Sequence, residues 1–143
     1  MLAQNKQDCY NNFMEKLSQS LEDYLEIIYN KIQEHNEVKA VDIARELKVS
    51  RASVTEALNK LRDKKFINYE KYGDILITQE GIKKAKEIVS LHKELTLFFE
   101  NIGIENKEAE EVACKIEHIV SKNIKKRVSA FNKFIKENPN FKF

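Results

Sequence analysis

From about residue 20 onward the apolar positions fall into helical periods. Leu21, Tyr24, Leu25, Ile28 and Ile32 recur at i, i+3, i+4, i+7 and i+11, an amphipathic helix reaching about Glu34. Ser20 is the expected N-cap, with Asp23 three residues on as its acidic partner. The polar stretch His35-Asn36-Glu37 breaks this helix. Within 38–47, Val41, Ala44 and Leu47 share one face of a shorter helix. Lys48-Val49-Ser50 interrupts it, and a further helix runs from Arg51 to about Asp63 with Val54, Leu58 and Leu61 inward and Ser50 as N-cap. The period then changes. Phe66-Ile67-Asn68-Tyr69-Glu70 and Ile75-Leu76-Ile77-Thr78 are short strand-like runs around Lys71-Tyr72-Gly73-Asp74, a hairpin with a glycine in its turn.

Two short helices across a tight turn form a helix-turn-helix, and the hairpin directly after it is the winged-helix order. The rest is helical again. A long helix starts at Thr78 or Gln79 and runs to about Asn101, with Ile82, Ala85, Ile88 or Val89, His92, Leu95 and Phe99 inward and Gly103 as its stop. Helices over about 107–122 (Val112, Ile116, Ile119 inward) and 124–136 (Ile124, Val128, Phe131, Ile135 inward) follow, the last closed by Pro139. The expected class is mainly α with one small β-hairpin. Residues 1–16 read as a polar, frayed arm, 17–79 as a winged-helix domain, and 80–143 as a second, helical domain.

Composition sharpens this in three places. Gly 3 and Pro 1 in 143 residues are too few for the turns of an all-β sandwich or barrel. The two cysteines, Cys9 and Cys114, are no disulfide framework and fit a reducing, cytoplasmic setting. No apolar run is long enough to span a membrane, and the polar start has no signal-peptide core. The formal net charge of +2 decides nothing about nucleic acid; only its distribution does.

That distribution points to DNA. An α-helix fits the major groove and reads base edges with its N-terminal residues. Here those are Ser50, Arg51, Ala52, Ser53 and Thr55: small and hydroxyl side chains that let the backbone come close, with one arginine that can reach guanine or phosphate. Lys60, Arg62, Lys64 and Lys65 cluster at the helix end for flanking phosphates, and Lys71 on the wing can follow a neighbouring minor groove. Glu56 is unfavourable there unless it accepts from a cytosine amine. The competing reading is a winged helix used as a protein–protein module.

A second constellation is Cys114-Lys115-Ile116-Glu117-His118. Cys114, Glu117 and His118 sit at i, i+3 and i+4, so all three project from one helix face. Thiolate, carboxylate and imidazole together are transition-metal ligands, and one helix rarely closes a coordination sphere. Asp23 and Glu26, three apart on the first helix, and His92 on the long helix are candidates for the remainder. Taken singly, each has a plainer reading: a buried small residue for Cys114, a solvated charge for Glu117, hydrogen-bonded structure for a lone histidine.

Glu22-Asp23-Tyr24-Leu25-Glu26, Val49-Ser50-Arg51-Ala52-Ser53-Val54-Thr55, His92 and Cys114-x-x-Glu117-His118, in this order over about residues 17–137, resemble the diphtheria toxin repressor family of iron- and manganese-dependent transcriptional repressors. The resemblance implies a winged helix followed by a helical metal-binding and dimerisation domain, a homodimer on a palindromic double-stranded operator, and no enzyme activity, membrane or small-molecule substrate. It also implies that Asp23, Glu26, His92, Glu117 and His118 are metal ligands. Long members carry a C-terminal SH3-like domain; the length of 143 residues matches the short, manganese-transport-regulator branch. Cys114 departs from that branch, which has Glu there, and matches the iron branch. Asp23 departs from the iron branch, which has Met. Two ancillary ligand positions of the iron branch fall on Thr96 and Glu110, and threonine is a poor ligand. A proline common early in the recognition helix is Ala52 here, so operator sequence does not transfer. The expected co-repressor is Fe(II), slightly ahead of Mn(II), with other divalent transition metals binding in vitro. Alternatives are a winged-helix regulator that senses no metal and a small metalloenzyme.

Overall fold

The computed structural model describes residues 17–71 and 73–142. The expected N-terminal arm and Cys9 lie outside them. The elements run α1 (Gln19–His35), α2 (Ala40–Leu47), α3 (Arg51–Asp63), β1 (Ile67–Tyr69), β2 (Ile75–Ile77), α4 (Gln79–Asn101), α5 (Asn106–Ile116) and α6 (Lys122–Glu137). The described residues form two compact units, one up to Gly81 and the other from Ile82, so the boundary falls inside α4.

In the first unit α1 buries Leu21, Tyr24, Leu25 and Ile28. Its cap is Ser18, not the expected Ser20: the Ser18 hydroxyl accepts from Leu21 N at 3.3 Å, so the helix begins one residue earlier than Ser20. Its periodicity could not separate two serines two residues apart. Asn36 ends it in the left-handed conformation (φ 59°), which asparagine tolerates. In α2 the expected inward face is corrected. Ile43 is fully buried, Ala44 and Leu47 are half-buried, and Val41 is exposed. Eight residues span barely two turns, too few for a period to fix the phase.

Residue Lys48 closes α2 with a positive φ of 54°. The Val49 amide then reaches back to the Ala44 carbonyl at 3.1 Å, a Schellman-type closure that satisfies the last carbonyls. Ser50 caps α3 as expected: its Oγ accepts from Ser53 N at 3.1 Å. Val54, Ala57, Leu58 and Leu61 are buried from α3. Each such burial is worth roughly 1.5–3 kcal/mol for a large side chain.

The wing is an antiparallel pair with Ile67 opposite Ile77, Asn68 opposite Leu76 and Tyr69 opposite Ile75. Ile67, Tyr69 and Ile75 face inward while Asn68 and Leu76 face solvent, the period-2 alternation of a one-sided sheet. Thr78 ties the hairpin to α4. Its Oγ1 lies 2.7 Å from the Lys65 carbonyl and 2.9 Å from that of Phe66, and accepts from Gly81 N at 3.1 Å. Gly81 packs directly under the Phe66 carbonyl, where no Cβ fits.

The second unit packs α4, α5 and α6 around Leu95, Ala113 and Val128, with Leu91, Phe98, Ile116 and Val120 against them. Phe98 and Phe131 meet edge-to-face at 5.3 Å. Gly103 stops the α4 turn at φ 97°. Two expectations are corrected here. α5 ends at Ile116 instead of continuing to about 122, and Ile119 and Ile124, expected inward, are exposed.

Candidate DNA-binding surface and metal centre

The first candidate surface lies on α3 and the wing. Ser50, Arg51, Ala52 and Ser53 are exposed at the start of α3, and Thr55 is half-buried. Two of the hydroxyls are already used by the helix itself: Ser50 caps the Ser53 amide, and Thr55 Oγ1 donates to the Arg51 carbonyl at 3.0 Å. Ser50 Oγ and Ser53 Oγ lie 2.9 Å apart. These bonds orient the side chains, while the exposed arginine stays available for long-range contacts. Lys60 is exposed but paired: its Nζ donates to Glu56 Oε1 at 2.6 Å. That bond and the lysine's charge hold the Glu56 carboxyl below its usual range. Tyr24 shifts upward, mainly through burial and then through the charge of Glu56. Lys71 is exposed on the wing turn, which the Gly73 amide closes onto the Glu70 carbonyl at 2.8 Å.

The second candidate lies in the second unit. Glu117 caps α5 and His118 follows in the turn, both buried, with side chains 2% and 3% exposed. Glu117 Oε2 is bonded to His92 Nδ1 of α4 at 2.7 Å, and Glu117 Oε1 lies 3.4 Å from His118 Nε2. A buried carboxylate is thus held between two imidazoles. Cys114 is exposed on α5, while Glu117 at its C-cap keeps helical dihedrals and its amide reaches the Ala113 carbonyl at 2.9 Å. Thr96, buried one turn after His92, donates its hydroxyl to the His92 carbonyl at 3.0 Å, and Glu110 is exposed on α5. In the first unit α1 carries Asp23 and Glu26, both half-buried, beside the buried Glu22, which the sequence pattern did not single out.

As they stand, no three His, Cys, Asp or Glu side chains among the described residues are arranged to hold an ion. The chemistry of the trio nevertheless fits a divalent cation. Glu117 Oε1 is buried and takes no hydrogen bond among the described residues, an arrangement that costs free energy without an electropositive partner. A carboxylate with two imidazoles is a common donor set for first-row metals.

Comparison with known proteins bears on both candidates. Residues 16–75 match the model of the iron dependent repressor N-terminal DNA binding domain, and residues 78–142 that of the iron dependent repressor metal binding and dimerisation domain. The chain belongs to the iron-dependent repressor family. It is therefore a metal-dependent DNA-binding transcriptional regulator that dimerises, and not an enzyme. Family members similar to it include an uncharacterized HTH-type transcriptional regulator of Methanocaldococcus jannaschii, 40% identical over 85% of this chain and 98% of that one. The HTH-type transcriptional regulator MntR of Bacillus subtilis is 34% identical over 82% of this chain and 83% of its own. Among solved structures, a manganese-dependent transcriptional repressor in complex with manganese superposes with TM-score 0.72 at 27% identity, over 80% of this chain and 53% of that one. T. acidophilum IdeR superposes with TM-score 0.64 at 30% identity, over 75% of this chain and 51% of that one. No helix among the described residues is long and apolar enough to cross a membrane.

Proposed function

We propose that this repressor takes Fe(II) or Mn(II) as co-repressor and, when loaded, binds a palindromic operator in the cytoplasm to control iron or manganese homeostasis. The observation that carries the reading is the buried Glu117 carboxylate between His92 and His118. The proposed ligands are Asp23, Glu26, His92, Cys114, Glu117 and His118. The proposed DNA contacts are Ser50, Arg51, Ala52, Ser53, Thr55, Lys60 and Lys71, and the proposed division is an arm over 1–16, a DNA-binding domain over 17–79 and a metal-binding domain over 80–143. A bound cation supplies positive charge to acidic and imidazole ligands that otherwise partner one another. His92 and His118 would hold it through imidazole nitrogen and Glu117 through carboxylate oxygen. Two recognition helices are then presented to half-sites one or more helical turns apart, and the ordering cost of binding is met before DNA arrives.

The exposed position of Cys114 changes the weighing of the metal. The thiolate was the reason to favour Fe(II), and the buried donors are oxygen and nitrogen, which suit Mn(II) equally. Relatives named for manganese regulation support the second choice.

The test is operator binding, followed by fluorescence anisotropy on DNA upstream of the protein's own gene or of a metal-transporter gene. The expected result is tight binding with anaerobic Fe(II) or Mn(II) and weak binding with chelator, and its loss in His118→Ala. A His118→Ala protein that responds fully to metal sinks this site assignment. Binding that ignores metal altogether supports a winged-helix regulator without a metal signal.

A further inference from the structure

We propose that Asn132 of α6 is a positioning residue for His92, setting where the His92 imidazole meets Glu117 and hence the strength of metal binding. The inference rests on the proposed metal role of the His92–Glu117–His118 trio. Asn132 is only 5% exposed, and it sits one helical turn after the buried Val128. A buried amide there is costly unless every polar atom is satisfied. Here it is satisfied from α4 alone. Asn132 Nδ2 donates to the Glu94 carbonyl at 2.9 Å and to Glu94 Oε2 at 2.8 Å, and Asn132 Oδ1 accepts from Asn101 Nδ2 at 3.0 Å.

The two partners lie seven residues apart on α4, about 10 Å along the axis at 1.5 Å per residue. One side chain therefore bridges two turns of α4, and it does so in a single register. Sliding or rotating α4 against α6 breaks all three bonds together, whereas the apolar contacts of Leu95 and Val128 tolerate small slips. A buried amide that fixes helix register is a known use of such groups. Glu94 is two residues from His92, and the Thr96 hydroxyl holds the His92 carbonyl itself. The Thr96 bond is internal to α4, so among these contacts Asn132 holds the segment 92–96 from another helix while the His92 ring reaches the end of α5. Metal ligands depend on such outer partners for orientation, and loss of one typically lowers affinity about 10–100-fold.

The test uses the full chain and three variants: Asn132→Leu, Asn132→Asp, and Asn132→Asp combined with Glu94→Gln. The single aspartate sets two carboxylates together. The double variant restores a donor opposite the acceptor but leaves an aspartate oxygen against the Glu94 carbonyl, so its recovery is partial. Two readouts are used. One is the His92 Nδ1–H proton resonance in metal-free protein, which reports the bond to Glu117. The other is Mn(II) affinity by competition with a chromophoric chelator. Asn132→Leu and Asn132→Asp are expected to lose the resonance and to weaken Mn(II) at least about tenfold, with both recovered in part by the double variant. Wild-type resonance and affinity in a folded Asn132→Leu or Asn132→Asp protein overturn the proposal, as does a double variant no better than the single aspartate. His92→Ala is run alongside. If it binds Mn(II) normally, the metal role of His92 fails, and the resonance still reports whether Asn132 positions the ring.

Discussion

At the scale of single residues, the Glu56–Lys60 pair shows how one contact alters a surface. Lys60 is a proposed phosphate contact, and Glu56 holds its ammonium at 2.6 Å. Glu56→Gln is expected to tighten operator binding and to steepen its salt dependence by up to one counterion, a slope change of about 0.9. Titrating salt in the anisotropy assay checks it, and an unchanged slope shows that Lys60 meets no phosphate. The pair has a definite pH signature. The Glu56 carboxyl is held below its usual range, so its contribution is fully present above that range and is lost as pH falls through the lowered value. Both partners are exposed, so the effect belongs to binding more than to stability. Cys114 is the other decisive residue. Cys114→Ser is expected to leave thermal stability within about 0.5 kcal/mol, as surface changes do. A changed ratio of Fe(II) to Mn(II) activation in that variant identifies the thiolate as a ligand; an unchanged ratio removes it from the set.

At the scale of elements, the joints carry the most information. The latch between wing and α4 leaves no room at Gly81: an added Cβ meets the Phe66 carbonyl, and the Ile77 Cγ1 lies 2.8 Å from it. Backbone cannot yield as a flexible side chain does, so Gly81→Ala is expected to destabilise the chain by about 3 kcal/mol or more. Urea denaturation measures it, and a loss under about 1 kcal/mol contradicts the packing described. The joint between α2 and α3 behaves in the opposite sense. Lys48 holds a left-handed conformation that costs a lysine about 1–2 kcal/mol and a glycine far less. Lys48→Gly is expected to stabilise the fold by about 0.5–1 kcal/mol after glycine's extra chain entropy is counted.

At the scale of the whole molecule, metal and operator are two ligands of one protein. If metal tightens the operator by some factor, the operator tightens the metal by the same factor. Measuring the Mn(II) affinity with and without operator DNA checks this, and an affinity that operator DNA leaves unchanged shows that the two sites are not coupled.

Much of this organisation is legible without coordinates, because it rests on short-range physics. The periods of 3.6 and 2 give the helices and the hairpin, and Ser50 and Gly103 mark the ends of elements by local hydrogen bonding and backbone freedom. The order helix-turn-helix, hairpin, helices and the residues Asp23, Glu26, His92, Glu117 and His118 follow from the chain alone, enough to name the family. Tertiary structure decided what periodicity leaves degenerate. It turned α2 onto Ile43 because eight residues do not define a phase. It buried Glu117 and His118 and left Cys114 exposed, although all three share a helical spacing. It also joined Asn132 to Glu94 and Asn101 across more than thirty residues of chain. The only trace of that link in the sequence is a polar residue on the inward stripe of α6, at the turn after Val128. Local patterns record what a residue does to its own backbone, whereas the partner of a buried polar group is chosen by packing between elements.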